Sequence, residues 1–403
     1  MNVTVSGVLF VVGALVSLST SWVLVQRLER VGERIGLSEG LLGLVAALAA
    51  DAPEITSAIS AVAHHQKTVG AGVVLGSNVF NLAALLGLAA VVAGVIALHR
   101  RVVFLSGSVA LWVAVVCLLA VTGALSAVVA LVLCLLALGP YAVVLGHGAR
   151  WLPVSKRAAA WLEAAEADEE LELSEAIAPE RGRPVDVVVA GVALVVVVVA
   201  SVVMERSATT IGTRYGWPEI VTGGIVLAGV TSVPNAVSAV YLARRGRGAA
   251  VLSTALNSNA LNVTVGLLLP AAFVGLGAPS GQTTLVAAWY LGLTVVALIL
   301  AYVGRGLGRA AGSIIIAGYL AFVAALLGTT QQAALEGPVR GPVSPASPRR
   351  STPRMRTPRH QPAILTAPLA VSNIAFTLSR ECLQRTDKVG GRRVACPWKR
   401  DEA

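Results

Sequence analysis

Ten stretches of predominantly apolar residues recur along this chain, and they restrict its fold more than any other feature. About 20 apolar residues are the length that an α-helix needs to cross the ~30 Å hydrocarbon core of a bilayer. Only 13% of the residues are charged, and the mean hydropathy of +0.78 is high for a water-soluble chain. The sequence therefore predicts an all-α membrane protein with about ten transmembrane helices.

The predicted spans differ in length, but each contains enough apolar residues to cross a bilayer. They are placed at 5–26, 38–63, 69–97, 102–122, 124–146, 184–205, 218–242, 249–276, 281–303 and 309–328. The first residues lack the basic region of a cleavable signal peptide, so the first stretch is interpreted as a retained helix.

Basic residues predict how the chain is oriented, because connections rich in Lys and Arg stay on the cytoplasmic side. Alternate connections carry 15 basic residues on one side, whereas the other side carries only Lys67, Arg206 and Arg214. The first group is therefore expected in the cytoplasm. A multi-pass protein of the cell membrane with its N-terminus outside follows from this count.

A long connection rich in Glu separates spans five and six. It divides the chain into a first five-helix repeat at 1–147, an acidic cytoplasmic linker at 148–183, a second five-helix repeat at 184–328 and a basic tail at 329–403. The linker is predicted to be solvated and partly helical, and a regulatory cation site is the alternative. The tail is predicted to be disordered. Its 13 basic residues conflict with an outer location, and a weak eleventh crossing at 362–378 would remove the conflict.

Two separated blocks of the chain repeat at a constant offset. "DAPEITSAISAV" at 51–62 pairs with "SVPNAVSAVYLA" at 232–243, and "GSNVFNLAALLG" at 76–87 pairs with "NSNALNVTVGLL" at 257–268. Equivalent residues such as Pro53 and Pro234 lie 181 positions apart in both blocks. Because each half has five spans, an odd number, the second half enters the membrane from the opposite side. This is the inverted-repeat architecture of secondary transporters, which bind substrate near the midplane.

The repeated blocks contain the groups that a cation site needs. Pro53 and Pro234 lie in the middle of their spans, where the missing N–H and the ring must kink or break the helix and free carbonyl groups. The GSN-type blocks supply small residues for close helix contact, with Asn and Ser oxygens beside them. Hard cations such as Na⁺ and Ca²⁺ prefer oxygen ligands.

Asp51 and Glu54 are the most informative pair, because a charge at the bilayer centre costs roughly 2.5 to 3.5 kcal/mol or more. No Lys or Arg lies in the middle of any predicted span to neutralise them. We therefore predict that a transported cation or proton supplies the missing positive charge. A protonated or hydrogen-bonded structural carboxylate is the alternative.

Four other polar residues have simpler interpretations. Glu39 and Glu219 lie near the starts of spans two and seven, where the helix dipole stabilises an acid, so we interpret them as caps rather than ion-entry residues. His64 and His65 lie in a short outer connection and are interpreted as solvated residues rather than a metal site or proton relay.

The paired blocks resemble the two α-repeats of the calcium/cation antiporter superfamily, whose sodium/calcium exchangers carry a G-T-S-x-P-E helix and a G-S-N-x-x-N/D helix in each half. The resemblance covers about residues 5–328. It implies a central ion site whose ligands come from both repeats, and the matching residues are Glu54, Ser77, Asn81, Thr231, Ser232, Ser258 and Asn262.

Two residues depart from this pattern. Asn235 stands where the second Glu is expected, and Asp51 stands where the first half usually has Ser or Thr. The predicted site thus keeps two carboxylates, but both come from one repeat. Asn262, where the potassium-dependent exchangers have an acid, gives no support for potassium transport.

The expected function is secondary active antiport by alternating access, with Ca²⁺ exported in exchange for Na⁺ or H⁺. Asp51 and Glu54 are expected to bind the ions, and Asn81, Asn235 and Asn262 to complete the shell. Proton-coupled exchange of a monovalent cation and a non-transporting membrane sensor or scaffold are the alternatives. No enzymatic activity, cofactor or nucleic-acid partner is expected, the lipid bilayer and inorganic cations are the expected partners, and the oligomeric state is left open.

Overall fold

The structure, a computed structural model, describes residues 2–148, 155–174 and 182–336. These residues form helices joined by short connections, and two short strands. The helices are α1 (Val3–Arg34), α2 (Glu39–Ala50), α3 (Ala52–Ala63), α4 (Lys67–Ala93), α5 (Arg100–Val121), α6 (Ala127–His147), α7 (Lys156–Ser174), α8 (Pro184–Tyr215), α9 (Glu219–Thr231), α10 (Val233–Arg244), α11 (Gly248–Val274), α12 (Gly281–Gly304) and α13 (Arg309–Glu336).

Ten spans can be assigned within the described residues. Eight helices are long and apolar enough to cross a membrane, and the bent pairs α2/α3 and α9/α10 each supply one more. Five spans precede α7 and five follow it, so the two halves have opposite orientations in the membrane. The prediction of about ten transmembrane helices in two inverted repeats is confirmed.

Both bent spans break beside a proline, as predicted. The bend is 52° between α2 and α3 and 45° between α9 and α10. Asp51 and Ser232 occupy the two breaks, and Pro53 and Pro234 follow in the first turn of the next helix. A proline is tolerated at the start of a helix but not inside one, so in each span the helix is interrupted just before the proline.

Three π-helical turns widen the helices near these breaks. They lie at Leu82–Leu88 in α4, Asn262–Leu268 in α11 and Thr222–Leu227 in α9. The first two start at almost equivalent positions of the repeats, directly beside Asn81 and at Asn262. The third has no π-helical counterpart in α2. π-Helical turns frequently occur at functional sites, and here they accompany the segments with the predicted ligands.

The long helices α1 and α8 form a pair. Each has 32 residues, or about 48 Å at 1.5 Å per residue, so the predicted ends at residues 26 and 205 are too early. Charged residues end the apolar stretch there but not the helix. In the middle of the pair, Gly13 packs on the backbone of Ala200, and the hydroxyls of Ser17 and Ser201 lie 2.7 Å apart.

An ion pair joins the C-terminal part of α1 to the start of α8. Arg27 of α1 contacts the carboxylate of Asp186 of α8 at 2.7 Å, and the same carboxylate accepts a hydrogen bond from the backbone N–H of Arg183 at 2.6 Å. Asp186 therefore caps α8 and ties it to α1.

Replacement of Asp186 by Ala removes both interactions. We expect a modest loss of stability, because the side chain of Arg27 is 31% exposed and its charge is partly screened by solvent. The melting temperature in detergent, followed by size-exclusion chromatography, is expected to fall by a few degrees. Glu163→Ala on the exposed face of α7 is the control, and an equal melting temperature for both variants would contradict a capping role.

Two short strands are the main departure from the predicted helices. Val95–Ala97 pairs in antiparallel orientation with Gly306–Gly308. The predicted third span at 69–97 is therefore too long, since α4 ends at Ala93 and Gly94 turns the chain with a φ of 91°. The strands join a connection of the first repeat to one of the second.

The acidic linker is helical over Lys156–Ser174, but the prediction that it is solvated is wrong on one face. Ala165 is fully buried, and Trp161 makes an edge-to-face contact with Phe104 of α5 at 5.5 Å between ring centroids. At the other end of the chain, α13 continues to Glu336, past the predicted start of the tail at 329. The predictions for the rest of the tail, including the crossing at 362–378, lie outside the described residues.

Candidate cation-binding site

The two helix breaks and the two GSN-type segments meet in the interior of the membrane domain. All nine predicted site residues are buried there, and the largest exposure among them is 4%, at Asn235. They are Asp51, Glu54, Ser77, Asn81, Thr231, Ser232, Asn235, Ser258 and Asn262.

Asp51 lies at the break between α2 and α3 and is held by the second repeat. Its Oδ1 accepts hydrogen bonds from Asn235 Nδ2 at 2.8 Å and from Ser258 Oγ at 2.7 Å. Asn235, which replaces the acid of the family pattern, thus acts as a hydrogen-bond donor to the carboxylate that replaces a hydroxyl residue. The two departures noted in the sequence are in direct contact.

Glu54 lies in the first turn of α3 and is also held by the second repeat. Ser232 Oγ donates to Oε1, and Asn262 Nδ2 donates to Oε2 at 2.6 Å. Asp51 and Glu54 therefore each receive two hydrogen bonds from the second repeat. Charge-assisted hydrogen bonds of this kind are about twice as strong as neutral ones.

The remaining predicted residues divide into two groups. Asn81 belongs to the network, since its Nδ2 donates to Ser258 Oγ at 3.2 Å. Ser77 and Thr231 are buried nearby, but their hydroxyls donate to carbonyl groups of their own helices, to Val73 in the case of Ser77 and to Leu227 at 3.0 Å in the case of Thr231. The structure does not join these two hydroxyls to the carboxylates by hydrogen bonds.

Three oxygen atoms of the network are buried and have no hydrogen-bond partner: Asp51 Oδ2, Asn81 Oδ1 and Asn262 Oδ1. Among the described residues, no Lys, Arg or His lies within 4.0 Å of the carboxylate of Asp51 or Glu54. A buried acceptor without a donor is costly, and carboxylate and amide oxygens are the ligands that hard cations prefer. The arrangement can therefore bind a cation that satisfies these oxygens.

Asn78 and Asn259 form a contact that sequence reasoning missed. Asn78 Nδ2 donates to the backbone oxygen of Asn259, and Asn259 Nδ2 donates to the backbone oxygen of Asn78, each at 3.1 Å. These residues are equivalent in the two repeats, 181 positions apart. Their shared place in the GSN-type motifs identifies them as related, but the reciprocal contact follows only from the assembled repeats. The pair holds α4 against α11 beside the carboxylates.

Ser21 of α1 is a second residue that the sequence did not point to. Pro53 has no N–H, so the carbonyl of Ala49 loses its partner within the helix. Ser21 Oγ donates to that carbonyl at 3.1 Å. The freed carbonyl, expected to serve as a cation ligand, is therefore hydrogen-bonded in this structure. The contact links α1 directly to the break that positions Asp51.

A comparison with protein-family models matches both halves of the chain, residues 5–147 and 185–328, to the model described as sodium/calcium exchanger protein. The chain belongs to the sodium/calcium exchanger family. The two matched segments of this exchanger-family protein coincide with the five spans before α7 and the five after it.

Individual relatives agree with the family assignment over different lengths. The inner membrane protein YrbG of Escherichia coli (strain K12) is 27% identical over 239 residues, which are 59% of this chain and 70% of YrbG. Sodium/potassium/calcium exchanger 3 of Homo sapiens is 34% identical over 82 residues, 20% of this chain. The alignment spans only 13% of that human exchanger, and the same fraction of the exchanger 3 of Rattus norvegicus.

Solved structures share the fold. A structure of the sodium-calcium exchanger NCX_Mj superimposes with a TM-score of 0.54 and covers 80% of this chain and 99% of its own. The sequences are 20% identical. The likeness shows that this family member has the ten-span inverted-repeat fold.

Proposed function

We propose that this chain is a secondary active antiporter that exports Ca²⁺ in exchange for Na⁺ or H⁺ by alternating access. The observation that carries the proposal is a pair of fully buried carboxylates, Asp51 and Glu54, with no cationic side chain of the described residues in contact. An uncompensated charge in this environment is costly. A transported cation is the group that balances it.

The number of charges explains why exchange rather than leak follows. Two ionised carboxylates are neutralised by one divalent ion or by two monovalent ions, so Ca²⁺ and Na⁺ or H⁺ compete for the same oxygens. When the site is empty, its two negative charges lose their hydration as access changes from one membrane face to the other, and this step is costly in free energy. Each reorientation therefore requires a bound ion, which couples outward movement of one ion to inward movement of the other.

The unpaired oxygens support a shell around these charges. Asp51 Oδ2, Asn81 Oδ1 and Asn262 Oδ1 have no hydrogen-bond partner. The hydroxyls of Ser77 and Thr231 are also buried. Ca²⁺ takes six to eight oxygen ligands. On this proposal Asn235 and Ser258 orient Asp51, while Ser232 and Asn262 orient Glu54.

The two repeats differ in a way that supports alternating access. The outer half of α8 packs on α3, where Ser60 is 5% exposed. The equivalent residue of α10, Tyr241, is 55% exposed. We propose that α1 and α8 slide as a pair between these two faces. If the N-terminus is outside, as proposed, the covered face at α3 belongs to the outer route and the less covered face at α10 to the inner route.

Flux measurements with the purified chain in proteoliposomes test the proposal. We expect ⁴⁵Ca²⁺ uptake driven by an opposed Na⁺ gradient, and a separate experiment with an opposed pH gradient identifies the coupling ion. Liposomes without protein provide the background. Uptake that stays at background under both gradients would refute antiport and favour a non-transporting role.

Proton-coupled exchange of a monovalent cation is the second candidate, because Asn235 replaces the acid found in the family pattern. Both carboxylates come from the first repeat, and protonation of one of them leaves a single negative charge that one monovalent cation balances. In that case ²²Na⁺ uptake driven by a pH gradient is expected, with no competition by external Ca²⁺.

A further inference from the structure

A third carboxylate, that of Glu205, is buried in the membrane part of the chain and has no role in the central site. Glu205 lies on α8 and is 1% exposed. Its Oε2 accepts a hydrogen bond from Ser60 Oγ of α3 at 2.8 Å. Its Oε1 is buried without any hydrogen-bond partner. Burial of an unsatisfied carboxylate oxygen is costly, so this group is a candidate cation ligand.

The nearby groups Arg206 and His64 act on the Glu205 carboxylate electrostatically, but neither forms an ion pair with it. Arg206 is exposed, and its guanidinium contacts the Nε2 side of the His64 ring. The other ring nitrogen of His64 lies 2.7 Å from the carbonyl oxygen of Ser60. Within the described ranges, no Lys, Arg or His nitrogen lies within 4.0 Å of the Glu205 carboxylate. Glu205 Oε1 therefore has no direct contact with either group, and a bound cation would provide one.

Polar side chains on α3 connect this position with the central site. Glu54, Ser57 and Ser60 follow one another at intervals of three residues, which places them on successive turns of the helix. All three are buried. The hydroxyl of Ser57 has no hydrogen-bond partner, so it is a second unsatisfied oxygen, located between Glu54 and Ser60. These oxygens form a polar route along an otherwise apolar interior.

A cavity of about 610 Å³ lies beside the last turns of α8. Thr209, Thr210, Thr213, Gln66 and Arg214 contribute to its lining. Thr209 lies one turn after Glu205, and its hydroxyl donates to the carbonyl of Glu205 at 2.9 Å. Glu205 therefore lies one turn of α8 before a residue that lines this cavity, and its carboxylate contacts Ser60 of α3.

We propose that Glu205, with the hydroxyls of Ser60 and Ser57, forms an outer site for a monovalent alkali cation such as Na⁺ on the route to Asp51 and Glu54. One carboxylate with neutral hydroxyl oxygens balances a single positive charge, whereas a divalent ion would keep an excess charge in low dielectric. This inference rests on the proposed function, since the route matters only if ions cross.

Equilibrium binding of ²²Na⁺ to the purified full-length protein tests the site without any need for transport. In an Asp51→Asn, Glu54→Gln background the central charges are absent, and we expect one class of Na⁺ sites to remain. Adding Glu205→Gln is expected to abolish that binding. Adding Glu219→Gln, which removes the same charge from an exposed position at the start of α9, is expected to leave it intact.

Ser60→Ala provides a second variant in the same background and keeps the carboxylate. It is expected to weaken the residual Na⁺ binding by about tenfold, the effect of one lost ligand contact. All variants are compared only if they elute as single peaks. No Na⁺ binding in the background variant, or binding that survives Glu205→Gln, would overturn the proposal, whereas failure of antiport shows separately as absent flux in the unmodified chain.

Sidedness gives an independent readout. In proteoliposomes with one protein orientation, Glu205→Gln is expected to raise the Na⁺ concentration for half-maximal exchange about tenfold on the α8 C-terminal face. The value on the opposite face is expected to stay unchanged. An equal change on both faces would mean that Glu205 acts on the central site and not on the outer route.

Discussion

Replacement of Glu54 by Gln is expected to lower gradient-driven ⁴⁵Ca²⁺ flux by roughly 100-fold or more, because the proposed site then keeps only one negative charge to balance a buried divalent ion. Glu54 is fully buried in the first turn of α3. Gln keeps its length and retains an oxygen for Asn262, which donates to Glu54 at 2.6 Å. The variant therefore removes the charge while keeping the shape of the side chain and one of its two accepting oxygens. Initial uptake rates in proteoliposomes measure the effect.

Glu219→Gln is the matched control, since it makes the same chemical change at the exposed start of α9. Its flux is expected to equal that of the unmodified chain. A Glu54→Gln protein that is folded and transports Ca²⁺ at the normal rate would show that the charge of Glu54 is not needed, and the proposed site would be wrong. Reduced flux in both variants would instead indicate a general effect of acid removal.

The number of spans and the two breaks were predictable because lipid imposes simple requirements. A helix must be about 20 residues long to cross the bilayer, and Pro53 and Pro234 remove a donor wherever they stand. The burial of Asp51 and Glu54 followed from the same reasoning. In each case a local property of the chain determines the result.

Other features depend on contacts between distant segments and could not be predicted this way. The pairing of Val95–Ala97 with Gly306–Gly308 joins short stretches with no strand pattern of their own. Ser21 is one of several small residues in α1, and only the assembled fold brings it to the carbonyl of Ala49. The end of α1 at Arg34 was missed because charged residues end an apolar stretch without ending a helix.

The constant offset between the repeats identified which residues are equivalent, but it did not predict the hydrogen bonds between them. It related Asn78 to Asn259, yet their reciprocal contact requires α4 and α11 to cross at these residues. It also marked Asn235 as the departure from the family pattern, without showing that its amide donates to Asp51. Sequence equivalence identifies which residues are related, and three-dimensional packing decides what each of them contacts.

Replacement of Gly76 by Ala is expected to disrupt folding. A Cβ atom at Gly76 would lie 2.2 Å from the carbonyl oxygen and 2.4 Å from the Cα of Gly224. Both are backbone atoms of α9, so no side-chain rotation relieves the overlap. The helices α4 and α9 must move apart, and Ser77 and Asn78 move with α4. The cost is expected to exceed the 1 to 3 kcal/mol that is typical of overpacked interiors.

The opposite substitution distinguishes this contact from a general intolerance of alanine. A Cβ atom at Gly224 would have its nearest neighbour, the carbonyl oxygen of Gly72, at 3.4 Å, an ordinary van der Waals distance. Gly224→Ala is therefore expected to fold and to melt near the temperature of the unmodified chain. Gly139→Ala in α6, where an added methyl group meets nothing within 4 Å, is the second control.

Size-exclusion chromatography of heated detergent samples measures all three variants. Gly76→Ala is expected to aggregate or to melt far below the unmodified chain, while both controls give single peaks. Equal damage by Gly76→Ala and Gly224→Ala would mean that the two helices cross with a different register. Since α4 carries Asn78 and Asn81 shortly after Gly76, such a register would also displace the amides of the proposed cation site. The stability of this glycine contact and the geometry around the carboxylates therefore depend on the same helix crossing.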